Sequence, residues 1–321
     1  MYKVHQNIVI DGIDYGDRGS RKYSAFCNEG KWNNFILPFL PEDPKEMVFV
    51  EYGSNAGLYL KMAKEYGFDR VVGFESDIQA YHMAEIYKKS LKMNYTTLHD
   101  TFTEDFNFNT LPVADITLLA NFHYHLTIPE FTYLFDNLKY KTCYLLIVSC
   151  EDAQVVHWRQ PRDINGIRQC LQEWEEIGCI APQVENDPHP RKMFSVLFKS
   201  NLKRQKLTNL IDRTKKPIQL GNAFGEFITL STNGKNFDIT DTLHYKKIYY
   251  QKEKKWSKEK IDEFVMHERD LIRDMYKNGI KKPVLIDKNN IILDGDHRIN
   301  FLQAFGYTSI IKRKLENYIY G

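Results

Sequence analysis

Cysteine is scarce in this chain. Its 321 residues hold five, at Cys27, Cys143, Cys150, Cys170 and Cys179, with no CxxC pair among them. An odd number at low density argues against a disulfide framework and a zinc knuckle, and it fits a reducing cytoplasm. Long apolar runs are missing too, none approaching the ~18 residues of a membrane helix. The start, MYKVHQNIVIDG, lacks a cationic opening followed by an apolar core and a small-residue cleavage site, so no signal peptide is expected. Net charge is also small, at +2. That near-neutrality hides an asymmetry: residues 1–200 carry −7 and residues 201–321 carry +9. Two units with different work are implied, the basic half hinting at an anionic partner.

What is present is ordinary for a globular protein: 43% hydrophobic and 27% charged residues, which exclude collagen-like, disordered and low-complexity classes. Residues 1–45 are mixed, with Trp32–Leu40 reading as an apolar helical segment. From Met47 the pattern is regular. Apolar runs at Met47–Glu51, Val71–Glu75, Thr97–His99, Asp115–Ala120 and Cys143–Ser149 read as strands, and Leu58–Tyr66 and Ile78–Leu91 as helices between them. Ile164–Gly178 reads as a further helix. Cys179–Val184 and Met193–Phe198, separated by NDPHP, read as a hairpin. The alternation predicts an α/β fold, Rossmann-like, with a mostly parallel sheet and a terminal antiparallel hairpin. Ligands of such sheets meet the residues just after the strands.

The first such segment is VFVEYGSNAGLYL. Glu51 stands at a strand end, Gly53 permits a sharp turn, Ser54 and Asn55 offer polar groups, and Gly57 allows close approach to the next helix. The spacing is E-x-G-x-x-x-G rather than G-x-G-x-x-G. A leading carboxylate repels a dinucleotide pyrophosphate, which seeks bare amides at a helix start. It suits a cationic ligand bearing an amino group and a sulfonium. These residues resemble the first motif of the class I S-adenosylmethionine-dependent methyltransferases, over roughly Trp32 to Lys199. The EYGSNAGLYL, RVVGFE and NFHYHL segments are similar to the subgroup containing wobble-uridine tRNA and sugar methyltransferases. The resemblance implies that Glu75 holds ribose hydroxyls, that Asp100 holds the adenine, and that S-adenosyl-L-methionine is the cofactor.

Asn121, Phe122, His123, Tyr124 and His125 follow the fourth strand. Asn121 joins the expected cofactor-binding set. Methyl transfer to a hydroxyl requires orienting the nucleophile and removing its proton, which suits a histidine. His123 and His125 are therefore the catalytic candidates, only one of which faces the acceptor if the segment is a loop. Cys150, Glu151 and Asp152 are candidates for the acceptor pocket or its rim. Arg18, Arg21 and Lys22 are candidate contacts to an anionic substrate, with plain surface charge as the competing reading. His157, His189 and His244 are expected on solvated surface. No third ligand accompanies the paired histidines, so no metal site is expected.

The basic half opens with Lys203, Arg204, Lys206, Arg213, Lys215 and Lys216, followed by a β-like segment at Gly221–Leu230. A second basic stretch, Lys246–Lys260, interleaves Tyr249, Tyr250 and Trp256, and a long helix runs over Ser257–Asn278. Basic residues with aromatics between them can hold single-stranded nucleic acid, although a solvated helix face gives the same pattern. Then come strands at Val284–Ile286 and Ile291–Leu293 and a DGDHR segment, where Asp294 reads as a helix N-cap. Lys246 to Lys314 resembles the ParB/sulfiredoxin-like superfamily, a smaller α+β domain. That resemblance implies nucleotide or phosphate binding by Asp294, Gly295, His297 and Arg298. Asp296 departs from the relatives with small-molecule kinase activity, and its carboxylate repels phosphate.

The expected organisation is a lead-in or cap over 1–45, a methyltransferase domain over 46–200, a linker and β-rich connection over 201–245, and a ParB/sulfiredoxin-like domain over 246–321. The expected protein is a cytoplasmic methyltransferase acting on oxygen or nitrogen of a small molecule such as a sugar, nucleotide-sugar or phosphorylated metabolite, with a nucleotide as second ligand. The alternatives are an RNA methyltransferase docking through the basic half, a bifunctional protein with a kinase-like domain, and a non-catalytic cofactor-binding or DNA-partition module.

Overall fold

Short apolar runs become strands and amphipathic stretches become helices in alternation from Val48 onward. A computed structural model of the chain describes residues 3–16, 28–151, 163–184, 192–206, 221–233, 237–287, 290–305, 307 and 309–314. The strands are β1 (Val48–Tyr52), β2 (Arg70–Glu75), β3 (Thr96–His99), β4 (Ala114–Ala120), β5 (Thr142–Glu151), β6 (Glu175–Val184) and β7 (Lys192–Lys199). They form one seven-stranded sheet in the order β3-β2-β1-β4-β5-β7-β6. The first five are parallel and β7 runs antiparallel to both β5 and β6. Between them lie α1 (Leu58–Tyr66), α2 (Ile78–Ser90), α3 (Ile128–Leu138) and α4 (Ile164–Cys170). This is the α/β, Rossmann-like architecture expected, with strand order reversing between β1 and β4.

Two compact units emerge: Met1–Phe108 with Ala114–Asn201, and Asn109–Val113 with Leu202–Gly321. In the first, a side chain ties together neighbouring strands that are far apart in sequence. The buried Asp115 at the start of β4 accepts a hydrogen bond at 2.8 Å from the amide of Val48, at the start of β1. One sheet face is packed by Phe49, Leu118, Leu146, Val148 and Cys150 together with Trp32, Phe35 and Leu60. Cys150 is therefore core rather than acceptor pocket. Trp32–Ile36 forms a π-helical turn that passes into a 3-10 turn at Leu37–Phe39, so the apolar lead-in is helical but not α. Near the N-terminus, Val4, Ile8 and Ile10 pack on Ala56, Leu58, Met83 and Tyr87.

One expected helix is shorter than its pattern. Asp163 caps α4 by accepting from Gly166 N at 2.8 Å, but the helix stops at Cys170. The residues after Trp174 instead extend β6, where Glu175 pairs with Lys199 in register and by an ion pair of 3.2 Å. Sheet pairing there outweighs the helical spacing.

The second unit contains α5 (Asn222–Thr232), α6 (Leu243–Lys252), α7 (Lys258–Asn278), α8 (Asp296–Ala304) and strands β8 (Lys203–Lys206), β9 (Val284–Ile286), β10 (Ile292–Asp294) and β11 (Ser309–Lys314). Its sheet order is β8-β11-β9-β10. The β-like reading of Gly221–Leu230 is corrected: the segment is helical. Phe224, Phe227 and Ile228 stand at helical spacing, and the last two are fully buried in the core with Ile261, Val265, Ile272 and Ile299. The glycines and β-branched residues that suggested a strand yield to that packing.

Candidate functional site

In a parallel sheet whose order reverses between two strands, a crevice opens at their carboxyl ends. Here that point lies between β1 and β4, and the loops after them carry the residues singled out above. The β1 loop turns at once. Gly53 N and Ser54 N donate to Phe74 O at 2.8 and 3.0 Å, and Gly57 N donates to Ser54 O at 2.9 Å. Gly53 has φ +72°, and a Cβ placed on it would lie 2.6 Å from Cδ2 of Phe122. Position 53 therefore accepts only glycine without rearrangement. Asn55, in the same loop, and Asn121, directly after β4, also sit in the left-handed region. Strained backbone on both sides of the strand-order reversal fits a ligand site.

Period two along β1 places Glu51 on the sheet face of Phe49. It is 0% exposed, and neither carboxylate oxygen has a hydrogen-bond partner among the described residues. Burial pushes its pKa well above the usual carboxylate range; nearby Glu75 adds to the rise, and Lys31 opposes it. Ser54 Oγ, Asn55 Oδ1 and Asn121 Oδ1 are likewise buried without partners among the described residues. Buried polar atoms are normally satisfied. A cluster of acceptors left open around one loop matches a ligand that brings donors, above all a cationic one.

Glu75, at the tip of β2, is fixed rather than open. Its carboxylate accepts from Asn55 N at 2.6 Å and from Asp77 N at 2.8 Å. Burial raises its pKa, while the amides of Asp77, Asn55 and Ser76 pull it down. A carboxylate has about four lone-pair directions, so these amides leave room for a hydroxyl. Asp100 follows β3 at the same edge; it is exposed, its carboxylate accepts from Thr101 N, and its own amide donates to Glu75 O at 3.4 Å.

The two histidines part company. His123–His125 is a 3-10 turn ahead of α3, which opens on a capping box between Thr127 and Glu130. His123 is 0% exposed, its ring centroid 6.4 Å from that of Phe131. His125 is exposed. Of the two, His125 is the one that meets solvent. Arg18, Arg21, Lys22, Asp152, His157 and His189 lie outside the described residues, as does the side chain of Glu151.

Two contributors carried no signal in the sequence. Leu58 N, at the start of α1, donates to Gln6 Oε1 at 2.8 Å from a residue 52 positions away. That amide is one a pyrophosphate would use, so its occupation by a side chain argues further against a dinucleotide. Phe122, Tyr52, Phe102, Phe106 and Phe108 form an aromatic cluster, with ring centroids 5.1–6.4 Å apart. The alternation of β1 hid it, because Tyr52 and Glu51 face opposite sides.

In the second unit, Asp294 is not the N-cap of α8. Gly295, with φ +123°, takes that position without a side-chain cap. Asp294 ends β10 and accepts from Arg298, whose guanidinium also donates to the carbonyls of Pro283 and, at 2.9 Å, Lys282. Arg298 is thus spent on the fold. His297 lies 3.6 Å from Glu268, which also bonds His244 at 2.8 Å. His244 is buried, correcting its expected place on solvated surface. Among the described residues, no group of three or more His, Cys, Asp and Glu is placed to hold a metal ion, and no helix is long and apolar enough to cross a membrane.

No protein-family model matches the chain, and no curated protein matches it. Solved structures share the sheet architecture at low identity. The PH0226 protein from Pyrococcus horikoshii OT3 is 11% identical, with TM-score 0.46 over 57% of this chain and 93% of that one. An S-adenosylmethionine-dependent methyltransferase from Clostridium acetobutylicum ATCC 824 is 10% identical, with TM-score 0.42 over 56% and 95%. The N-methyltransferase NodS from Bradyrhizobium japonicum WM9 is 15% identical, with TM-score 0.40 over 48% and 85%. At such scores these likenesses carry no weight for activity, which must be argued from the site.

Proposed function

We propose that the first unit is an S-adenosylmethionine-dependent methyltransferase whose acceptor is a small molecule, a sugar, nucleotide-sugar or phosphorylated metabolite. The observation that carries this reading is the buried carboxylate of Glu51, unpartnered among the described residues, with the acceptors of Ser54, Asn55 and Asn121 open in the same sense. A donor with an ammonium and a sulfonium fits that set; a pyrophosphate does not. Glu51, Gly53, Ser54, Asn55, Gly57 and Asn121 would hold it, Glu75 would take ribose hydroxyls and Asp100 would sit by the adenine. When bound, this cofactor supplies an electrophilic methyl group. The chain's own work is then positional and acid–base. The loop after β1 fixes the donor's place, Phe122 walls it, and His125 orients the acceptor hydroxyl or amine and takes its proton. His123 packs the turn that presents His125.

Calorimetry with S-adenosylmethionine tests the reading. Saturable one-site binding by the full chain is expected. No binding by wild type, or unaltered binding by a Gly53→Arg variant, overturns it. The engagement of Arg298 gives no support to a phosphate-transferring second unit, so a kinase role is not part of this proposal.

A further inference from the structure

The second unit presents a surface that methyl transfer to a small molecule does not use. On α6, Leu243, Lys246, Lys247 and Tyr250 fall within one face of the helix, by the 100° turn per residue. Leu243 is 57% exposed and Tyr250 80% exposed, while both lysines are exposed. The opposite face is the buried one, through His244 and Tyr245. Tyr245 stacks on Tyr249 at 6.0 Å and donates its hydroxyl to Asp262, which fixes the helix in place. Just beyond the helix, Trp256 lies between the ammonium groups of Lys252 and Lys260, 5.0 and 4.9 Å from its ring centroid, and meets Phe264 edge-on. From Leu243 to Lys260 there are seven lysines and two glutamates, a net charge of +5.

A solvated helix face accounts for the lysines, and the tyrosine standing 80% clear of the protein adds a stacking surface to them. A membrane surface would need a broad apolar stripe, and this face offers one leucine and one tyrosine set among lysines. An exposed aromatic ring sharing a helix face with lysines instead matches a strand of alternating phosphates and bases. The charges neutralise phosphates, and the ring stacks a base whatever its identity.

We propose that the exposed face of α6 and the turn after it bind single-stranded nucleic acid. Lys246, Lys247 and Lys254 contact phosphates, and Tyr250 stacks a base. The inference does not depend on the methyltransferase reading.

Fluorescence anisotropy of the full chain with a fluorescein-labelled 20-nucleotide oligouridylate tests it, with a duplex of equal length and heparin as comparisons. Saturable binding is expected, with a log–log salt slope of about −2 for three phosphate contacts on a single strand. Lys246→Ala with Lys247→Ala should flatten that slope by more than half. Tyr250→Ala should weaken binding about ten- to hundred-fold, while Tyr250→Trp retains it. These positions are exposed, so melting curves should stay unchanged and S-adenosylmethionine affinity should not move. Absence of oligouridylate binding at low salt overturns the proposal. So does a Tyr250→Ala variant that binds like wild type, or equal affinity for duplex or heparin, either of which would mark charge without stacking.

Discussion

Replacing Glu51 with Gln should move two observables in opposite directions. In the free protein the carboxyl is fully buried and unpartnered among the described residues, and burial pushes its pKa well above the usual carboxylate range. A raised folded-state pKa means the fold tolerates the protonated form. The associated stability is fully present below about pH 4.5, declines as pH rises, and levels off once pH passes the folded value. Gln is an uncharged isostere of the protonated acid, so the variant lacks that decline. Its unfolding free energy should match wild type near pH 4. At pH 7–8 it should exceed wild type by the cost of ionising the buried carboxyl, about 1.4 kcal/mol for each unit by which burial raises its pKa. For a unit of this size that is about 2–4 °C per kcal/mol in thermal midpoint. Binding should respond the other way. Loss of one charge-assisted hydrogen bond to the donor, about 1.5–3 kcal/mol, corresponds to roughly ten- to hundred-fold in Kd. Differential scanning fluorimetry across pH, paired with calorimetry, reads both. A variant less stable than wild type at neutral pH, with donor affinity intact, would refute the reasoning and make Glu51 a structural residue.

Other perturbations follow from the same geometry. Gly53→Ala should lose donor affinity and lower the thermal midpoint, since its Cβ would sit 2.6 Å from Phe122 at a positive φ. Adding Phe122→Ala should restore part of the stability, so a double-mutant cycle should show the two effects to be non-additive. His125→Ala should cut kcat by about 10²–10⁴ at unchanged donor affinity, the usual range for a general base. His123→Ala should act chiefly on melting temperature, because its ring is core. Arg298→Met should destabilise the protein by about 1–3 kcal/mol, by leaving the carbonyls of Lys282 and Pro283 without their donor. Asp294→Ala, which removes an exposed carboxylate, should do less in the same melting assay.

The sheet was legible because its signals are local. Each buried strand is an unbroken apolar run, and Glu51, Gly53, Gly57 and Glu75 sit at strand ends where spacing alone exposes them. Segments whose state is decided at a distance were not legible. Glu175–Gly178 has helical acids and an apolar Ile177, yet pairing with β7 draws it into a strand. Asn222–Thr232 holds glycine and β-branched residues, yet burying Phe227 and Ile228 makes it a helix. In the site, alternation could separate Glu51 from Tyr52 but could not decide between His123 and His125, whose difference is burial against Phe131. The reach of Gln6 to Leu58 had no local trace at all. In DGDHR the residue types suggested a cap and an anion site, but Arg298 finds its partners in carbonyls 15 and 16 residues earlier.

The hydrogen bond from Val48 to Asp115 has a consequence for how the chain comes to fold. It joins the starts of β1 and β4 across 67 residues of sequence, whereas the turn from β9 through β10 into α8 is closed by contacts at most 16 residues apart. Loop-closure entropy delays pairings of the first kind and favours those of the second. The crevice between β1 and β4 therefore comes into being only with the long-range closure, after its individual loops can already have formed. In a refolding experiment, recovery of donor binding should track the slowest structural phase, which makes the ligand a reporter of completed topology rather than of secondary structure.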